Sequence, residues 1–407
     1  MTTNSPAIGA EPLPAFIHPH VSLLTILLAY LQAGFTAFGS AITQKLLALV
    51  SNRKWLSAEE IDDGFALVQL YPGPMMVDFT AYVGYKLRGV PGAIVATTGF
   101  ILPAYLLMLG VSVLYFNFNT GNLPWVQPFF VGLEAIVVGI VAHLALDFGA
   151  RVIKGRVQAL IAVLAFGALL YKVNPVLIIA VSLALGMGLL RPAQATALRA
   201  APRTARVSPW IAIGVVTAVI IAVAVFAATL QSDVGRMALS FFKIGSVAFG
   251  NGVTIMPLVQ ADVVDTYGWL SQAQFTDGIA LGQITPGPGL ITATFVGYKL
   301  AGFWGATLAT FAIFSPSFAM TLIFTEVFTR LRSLRLIRGA MAGVLASFVG
   351  LLVVMALQLG ATAFKGPAAL TLAAGALVAV RYFKLDVVWV FAGGLVLWGV
   401  ALALGIA

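Results

Sequence analysis

Residues 63–74 read Asp63-Gly64-Phe65-Ala66-Leu67-Val68-Gln69-Leu70-Tyr71-Pro72-Gly73-Pro74, and residues 277–288 read Asp277-Gly278-Ile279-Ala280-Leu281-Gly282-Gln283-Ile284-Thr285-Pro286-Gly287-Pro288. The match continues outward on both sides. Upstream, Trp55-Leu56-Ser57 recurs as Trp269-Leu270-Ser271, and Gly34-Phe35-Thr36-Ala37-Phe38-Gly39 recurs as Gly245-Ser246-Val247-Ala248-Phe249-Gly250. Downstream, Gly84-Tyr85-Lys86-Leu87 recurs as Gly297-Tyr298-Lys299-Leu300. Gly89, Gly92-Ala93, Ala96-Thr97 and Pro103 recur as Gly302, Gly305-Ala306, Ala309-Thr310 and Pro316. The offset stays between 211 and 214 residues. Apolar composition alone does not put so many uncommon identities in one order. The period is too long for a solenoid, so the chain is one duplication rather than an array.

The solvent of this chain is lipid. Of 407 residues, 60% are hydrophobic and 9% charged, where a soluble domain carries nearer a quarter charged residues. Apolar stretches recur from end to end. The absence of cysteine excludes disulfides, thiolate metal sites and cysteine nucleophiles. Two of the three histidines, His18 and His20, fall before the first apolar segment, which argues against bis-histidine haem within the membrane. A clustered nucleophile and base is also missing, so neither an enzyme nor a cofactor is expected. The net charge of +9 resides in loops between apolar segments. It is first a topology signal and second a hint of an anionic substrate; it does not imply nucleic acid.

The organisation expected is a disordered tail over 1–20, lacking the basic start and apolar core of a signal peptide, and a first membrane repeat over 21–190. A basic linker over 191–208, an extra helix within 209–231 and a second repeat over 235–407 follow. The fold class is an all-α polytopic membrane protein. Val21–Val50 and Ala58–Arg88 each either cross the bilayer, giving about thirteen spans, or fold back as re-entrant hairpins, giving about nine. The pieces flanking Pro72-Gly73-Pro74 are each roughly 21 Å as helices, too short for a hydrocarbon layer of roughly 30 Å.

Loop charge predicts that the halves face opposite ways. Lys86, Arg88, Arg151, Lys154 and Arg156 read as cytoplasmic, and the uncharged loop 117–124 as external. The counterpart of that uncharged loop holds Arg330, Arg332, Arg335 and Arg338, while the counterpart of the basic 151–156 loop holds only Lys365. The helix Trp210–Leu230 supplies the odd crossing. The N-terminus is then inside and the C-terminus outside. Inverted repeats with broken helices at the midplane characterise secondary transporters.

The Pro-Gly-Pro triplets decide where chemistry belongs. Proline removes an amide donor and clashes with a continuing helix, and it suits a first helical position. One helix therefore ends near Tyr71 or Thr285, and another starts at Pro74 or Pro288. Such a start offers free N–H groups and about half a positive charge, and two of them are suited to a small anion. Lys86, Lys299 and Lys243 are candidates for attracting it. For the two repeat-related lysines, snorkelling to the interface is the simpler role. Buried acids ask for a reason, so Glu134, Asp78, Asp63 and Asp277 are coupling candidates. For Asp63 and Asp277 a solvated, helix-end place is the alternative.

Together the Phe-Gly stretches, the Pro-Gly-Pro breaks, the Gly-Tyr-Lys ends and the duplicated halves resemble the chromate ion transporter family, in its two-domain, long-chain form. The resemblance covers nearly the whole chain and is strongest over 34–103 and 245–316. It implies a carrier in the cytoplasmic membrane that expels chromate at the expense of the proton motive force, with sulfate as an analogue. The substrate positions it implies are Phe38, Gly39, Ser40, Pro72, Gly73, Pro74 and Met75 in the first half. In the second they are Phe249, Gly250, Asn251, Gly252, Pro286, Gly287, Pro288 and Gly289. Family members often read Phe-Gly-Gly-Pro, with a nearby His, where this chain reads Phe38-Gly39-Ser40-Ala41. Expected partners are a small inorganic anion, the lipid bilayer and, in assembly, a second copy as a homodimer. A passive anion channel or a subunit of a larger membrane complex is the reading from another class.

Overall fold

The computed structural model describes residues 20–38, 41–118, 126–190, 209–250, 253–331 and 335–405. Helices dominate throughout. The first half holds α1 (Leu23–Thr36), α2 (Ala41–Asn52), α3 (Ala58–Leu67), α4 (Met75–Asn117), α5 (Gln127–Val152), α6 (Arg156–Leu170) and α7 (Pro175–Leu189). Then come α8 (Trp210–Thr229), α9 (Asp233–Ser246), α10 (Met256–Gln260), α11 (Gln272–Ile284), α12 (Thr292–Leu331), α13 (Arg335–Ala363), α14 (Pro367–Arg381) and α15 (Val387–Ala403). The two-residue segments β1 (Gly73–Pro74) and β2 (Phe249–Gly250) pair in parallel. Among the described residues five helical stretches are long and apolar enough to cross a membrane, and five shorter apolar helices accompany them. The tail 1–19 and the linker 191–208 lie outside the described residues.

Two of the long helices are folded on themselves. In α4 the backbone leaves helical geometry at Arg88 and Gly89, where Gly89 takes φ 65° and ψ −152°. In α12 it does so at Ala301 and Gly302, with φ 55° and ψ −140° at Gly302. That region is open essentially to glycine alone. The arms then close tightly. A Cβ on Gly84 would sit 2.3 Å from the Gly92 carbonyl oxygen, and one on Gly297 would sit 2.3 Å from that of Gly305. The recurring glycines downstream of each triplet are thus the two sides of an elbow. We call the arms α4a (75–87), α4b (90–117), α12a (292–300) and α12b (303–331).

The segments before the elbows fold back rather than cross. Ser57 caps α3 through a reciprocal box with Glu60. Glu60, at the start of α3, meets Lys86, near the end of α4a, at 3.3 Å. The Tyr82 hydroxyl donates to the Glu60 carbonyl at 3.0 Å, and Gly64 lies under the Tyr82 ring. The arms therefore run antiparallel, with Pro72-Gly73-Pro74 at the tip. The second half repeats this: Ser271 caps α11 through Gln274, Gly278 packs on Phe295, and Gly282 lies beside Thr292. Two further helix pairs, α1 with α2 and α9 with α10, pack together on either side of the Phe-Gly stretches. Tyr30 of α1 approaches Trp55, beyond the end of α2, with ring centroids 6.1 Å apart. Lys243 of α9 pairs with Asp262, beyond α10, at 2.6 Å.

The hairpins rest on the long helices. The start of α1 is tied to the elbow by Arg88, which donates to the Val21 carbonyl at 3.3 Å, and Gly34 further along packs on Phe100 and Pro103 of α4b. In the second half Gly245 packs on the Ile313 carbonyl of α12b. Small residues permit this close approach, as is usual where lipid offers no hydrophobic drive between helices. They recur in the scaffold, where Gly186 of α7 meets Gly339 and Gly343 of α13, and Gly139 of α5 meets the Ala373 carbonyl of α14. The helix α8 leaves Ile211, Val215, Val219, Ile221, Val225 and Phe226 exposed, as a lipid-facing helix does.

Candidate functional site

The four tips meet crosswise. β1, from the Pro-Gly-Pro of the first half, pairs with β2, from the Phe-Gly of the second, Gly73 opposite Phe249 and Pro74 opposite Gly250. Reciprocally, the Gly287 amide, from the second Pro-Gly-Pro, donates to the Ala37 carbonyl beside Phe38 at 2.8 Å. Each triplet also abuts the long helix of the other half. A Cβ on Gly73 would lie 2.9 Å from the Ser317 Cβ of α12b, and one on Gly287 would lie 2.8 Å from the Ala104 Cβ of α4b. Gly287 has φ 104°, a conformation L side chains rarely adopt. Exchanging the two halves maps this set of contacts onto itself.

The structure corrects one expectation about the triplets. Neither Pro74 nor Pro288 is the first residue of an α-helix. Pro74 is the residue before α4a, extended at ψ 93°, because it continues the strand pairing with Gly250. Pro288 is extended at ψ 131° and precedes a single 3₁₀ turn, Gly289–Ile291, before α12a begins. The start of α4a and the 3₁₀ turn after Pro288 have no side-chain cap, which leaves their first amides free of side-chain acceptors.

The expected substrate positions that are described fall together at this junction: Phe38, Pro72, Gly73, Pro74, Met75, Pro286, Gly287, Pro288 and Gly289, with Phe249 and Gly250 through their backbone. Gly39, Ser40, Asn251 and Gly252 lie outside the described residues. Asp78 belongs to the same junction. It is fully buried, and a Cβ on Gly73 would lie 1.7 Å from its Oδ2, so the carboxyl rests directly on the turn. Tyr71, fully enclosed as well, joins Thr321 of α12b through their hydroxyls at 2.7 Å.

The remaining charged candidates divide by half. Lys86 is engaged by Glu60, and Asp63 is half-buried near that ion pair. The second half has Gln274 where the first has Glu60. Lys299 accordingly has no such partner; it lies over the Phe116 ring, 5.3 Å from its centre. It opens instead on a polar cavity of about 200 Å³ lined also by Tyr115, Glu134, Gln274, Asp277 and Lys365. A solvated, helix-end place for Asp277 is thereby ruled out. It is 4% exposed and accepts from the Tyr115 hydroxyl at 2.6 Å, because α11 is pressed between α4b and α5. Glu134 is likewise 4% exposed. Lys243 is bound to Asp262, which also accepts from Ser240 at 2.5 Å. Sequence reasoning missed Asp262, Tyr115 and Ser317. Tyr115 and Ser317 sit in apolar helices, where spacing carries no signal of which side chain faces a tip.

The sequence relationships agree with this architecture. A family model described as "Chromate transporter" matches the chain twice, over residues 24–187 and again over 235–399. The chain belongs to the chromate transporter family. An uncharacterized transporter of Methanocaldococcus jannaschii is 32% identical over 343 residues, covering 83% of this chain and 84% of the relative. A chromate transport protein of Cupriavidus metallidurans is 29% identical over 357 residues, covering 85% of each. An uncharacterized transporter of Bacillus subtilis, YwrB, is 32% identical over 181 residues, which is 42% of this chain and 87% of that protein. Such a relative corresponds to one half. No solved structure matches. The family is one of transporters, not enzymes, and its multi-pass character fits the apolar helices described above.

Proposed function

We propose that this family member is a secondary carrier that exports a small oxyanion, chromate, across the cytoplasmic membrane at the expense of the proton motive force. The observation that carries this reading is the crosswise meeting of the tips. Uncapped starts are tolerated at membrane depth only where they line protein or a water-filled path, and here the start of α4a and the 3₁₀ turn after Pro288 are brought to one buried junction by symmetric contacts. A small tetrahedral anion matches what such starts offer. Relatives in Cupriavidus metallidurans and Synechococcus elongatus are named chromate transport protein and probable chromate transport protein, which supports chromate as that anion. Sulfate, of the same shape and charge, is the competing substrate to test.

We further propose that the halves are inverted in the bilayer, with the N-terminus inside. Two contacts support this. The Tyr85 hydroxyl, near the α4 elbow, donates to Glu326 toward the far end of α12b at 2.6 Å. Conversely Tyr298, near the α12 elbow, stacks on Phe116 at the far end of α4b, 6.2 Å between centroids. Each pair of hairpins thus enters beside the exit of the opposite long helix, the arrangement that lets one half rock against the other around a midplane site. Labelled chromate and sulfate flux in proteoliposomes, with and without a pH gradient, tests the function. Movement of neither anion defeats the substrate claim, and flux unaltered by Pro74→Ala and Pro288→Ala defeats the site.

A further inference from the structure

We propose that Asp78 is the proton site of this carrier, and that the anion and the proton cross together. The junction accepts the anion when the Asp78 carboxyl carries a proton, and one proton moves with each anion in the same direction. This rests on the reading of the four-tip junction as the substrate site.

Three observations lead here. First, Asp78 has no exposed surface, and neither carboxyl oxygen has a hydrogen-bond partner. Second, it is aimed into the break: the carboxyl lies against Gly73, whose paired strand and following helix start form the junction. Third, its surroundings offer no compensating charge. From α12b it faces the hydroxyls of Ser317 and Thr321, which donate to the Phe314 and Ser317 carbonyls at 3.2 and 2.9 Å. From the segment after α3 it faces Tyr71, whose hydroxyl is engaged with Thr321. The backbone of β2 pairs with Gly73 and Pro74. No ion pair among the described residues reaches it.

A carboxylate and an oxyanion a few ångström apart, away from water, repel strongly. The same junction cannot hold both charges, so a proton on Asp78 raises anion affinity, and the anion raises proton affinity by the same factor. That sign is fixed by electrostatics, and it is the sign of co-transport. Exchange in opposite directions requires the two ligands to compete, as a proton and a cation do at a carboxylate. The site is single, because the corresponding stretch of the second half, Gly289-Leu290-Ile291-Thr292, has no acid. A dianion leaving with one proton still carries one net negative charge outward. The inside-negative potential, the electrical part of the proton motive force, therefore drives export, while the pH difference opposes it.

The test uses the full-length protein in proteoliposomes at a clamped membrane potential. A pH dye in the lumen reports proton movement while labelled chromate enters. The expected result is a proton signal in the direction of chromate, and a half-saturating chromate concentration that rises up to tenfold per pH unit on the alkaline side. Asp78→Asn, the neutral isostere, is expected to abolish the proton signal, to shift that concentration less than twofold per pH unit, and to outrun the wild type at alkaline pH. Chromate itself takes up a proton near neutrality, so the comparison with Asp78→Asn at equal pH separates the protein's proton from the anion's. Protons moving against chromate in the wild type overturn the inference, and this readout needs no variant to fold. An unaltered proton signal in Asp78→Asn overturns it too. Absence of chromate flux in the wild type overturns the functional reading, and this inference with it.

Discussion

The Gly287 amide donates to the Ala37 carbonyl at 2.8 Å, so the Pro-Gly-Pro turn of the second half is sealed onto the Phe-Gly turn of the first. Its repeat-related partner is the Gly73–Phe249 pairing. One backbone bond therefore joins two segments some 250 residues apart in sequence, and it is made by the one triplet residue that has both an amide proton and freedom of φ. Gly287→Ala is expected to lose at least tenfold in chromate flux. It faces both a φ of 104° and the Ala104 Cβ 2.8 Å away, and strain of this kind costs about 1–3 kcal/mol. Flux at wild-type levels with normal expression would show that the sealed junction is dispensable.

The elbows test differently. Gly89 and Gly302 have empty space around them, so only their backbone conformation demands glycine. Gly89→Ala and Gly302→Ala are each expected to cost about 1–3 kcal/mol, read as a lowered unfolding temperature in detergent. Substitution of Gly84 by Val acts instead by collision with Gly92 across the hairpin and is expected to be at least as severe. Equal stability of Gly89→Ala and the parent would rule out the glycine-only backbone at that elbow.

Lys86 and Lys299 occupy matching positions in unlike surroundings. Lys86→Gln removes a partly exposed ion pair with Glu60, worth about 0.2–1 kcal/mol, and flux is expected to change less than about twofold by the same weak coupling. Lys299→Gln removes a charge that borders the polar cavity without an acidic partner like Glu60. The half-saturating chromate concentration is expected to rise about threefold or more, with the difference shrinking at high salt as screening sets in. An unchanged half-saturating concentration in Lys299→Gln would place that lysine outside the anion's path.

Topology is open to direct measurement. Reporters fused after Gly121 and after Arg335 are expected to report opposite sides of the membrane. Signals from the same side contradict inverted halves, whatever the flux assays give.

Much of this protein was legible before any coordinate. The duplication needed only ordered identities such as Trp55-Leu56-Ser57 and Trp269-Leu270-Ser271. The breaks needed only the chemistry of proline and glycine. The site was legible in part. The Pro-Gly-Pro and Phe-Gly turns were singled out, and Asp78 was flagged because acids are costly in apolar helices. The partners of these groups were not legible. Nothing in an apolar helix such as α12b marks Ser317 or Thr321 as the residues that face a tip, since periodicity has no contrast where every face is apolar. For the same reason Asp277 and Asp63 look alike in sequence, although one is enclosed beside Tyr115 and the other is half-exposed.

What the sequence by itself determined is therefore local and covalent: where helices stop, where glycine is needed, which halves correspond, and that lipid is the solvent. What only the tertiary structure decided is pairing: which turn seals onto which, that the hairpins fold back, and that Lys86 is neutralised while Lys299 faces a cavity. The physical reason is range. A proline breaks its own helix wherever that helix lies, but the worth of a carboxyl or a lysine depends on charges and donors brought to it from hundreds of residues away. In this fold those arrive through close contacts of small residues and backbone, which leave almost no pattern in the order of amino acids.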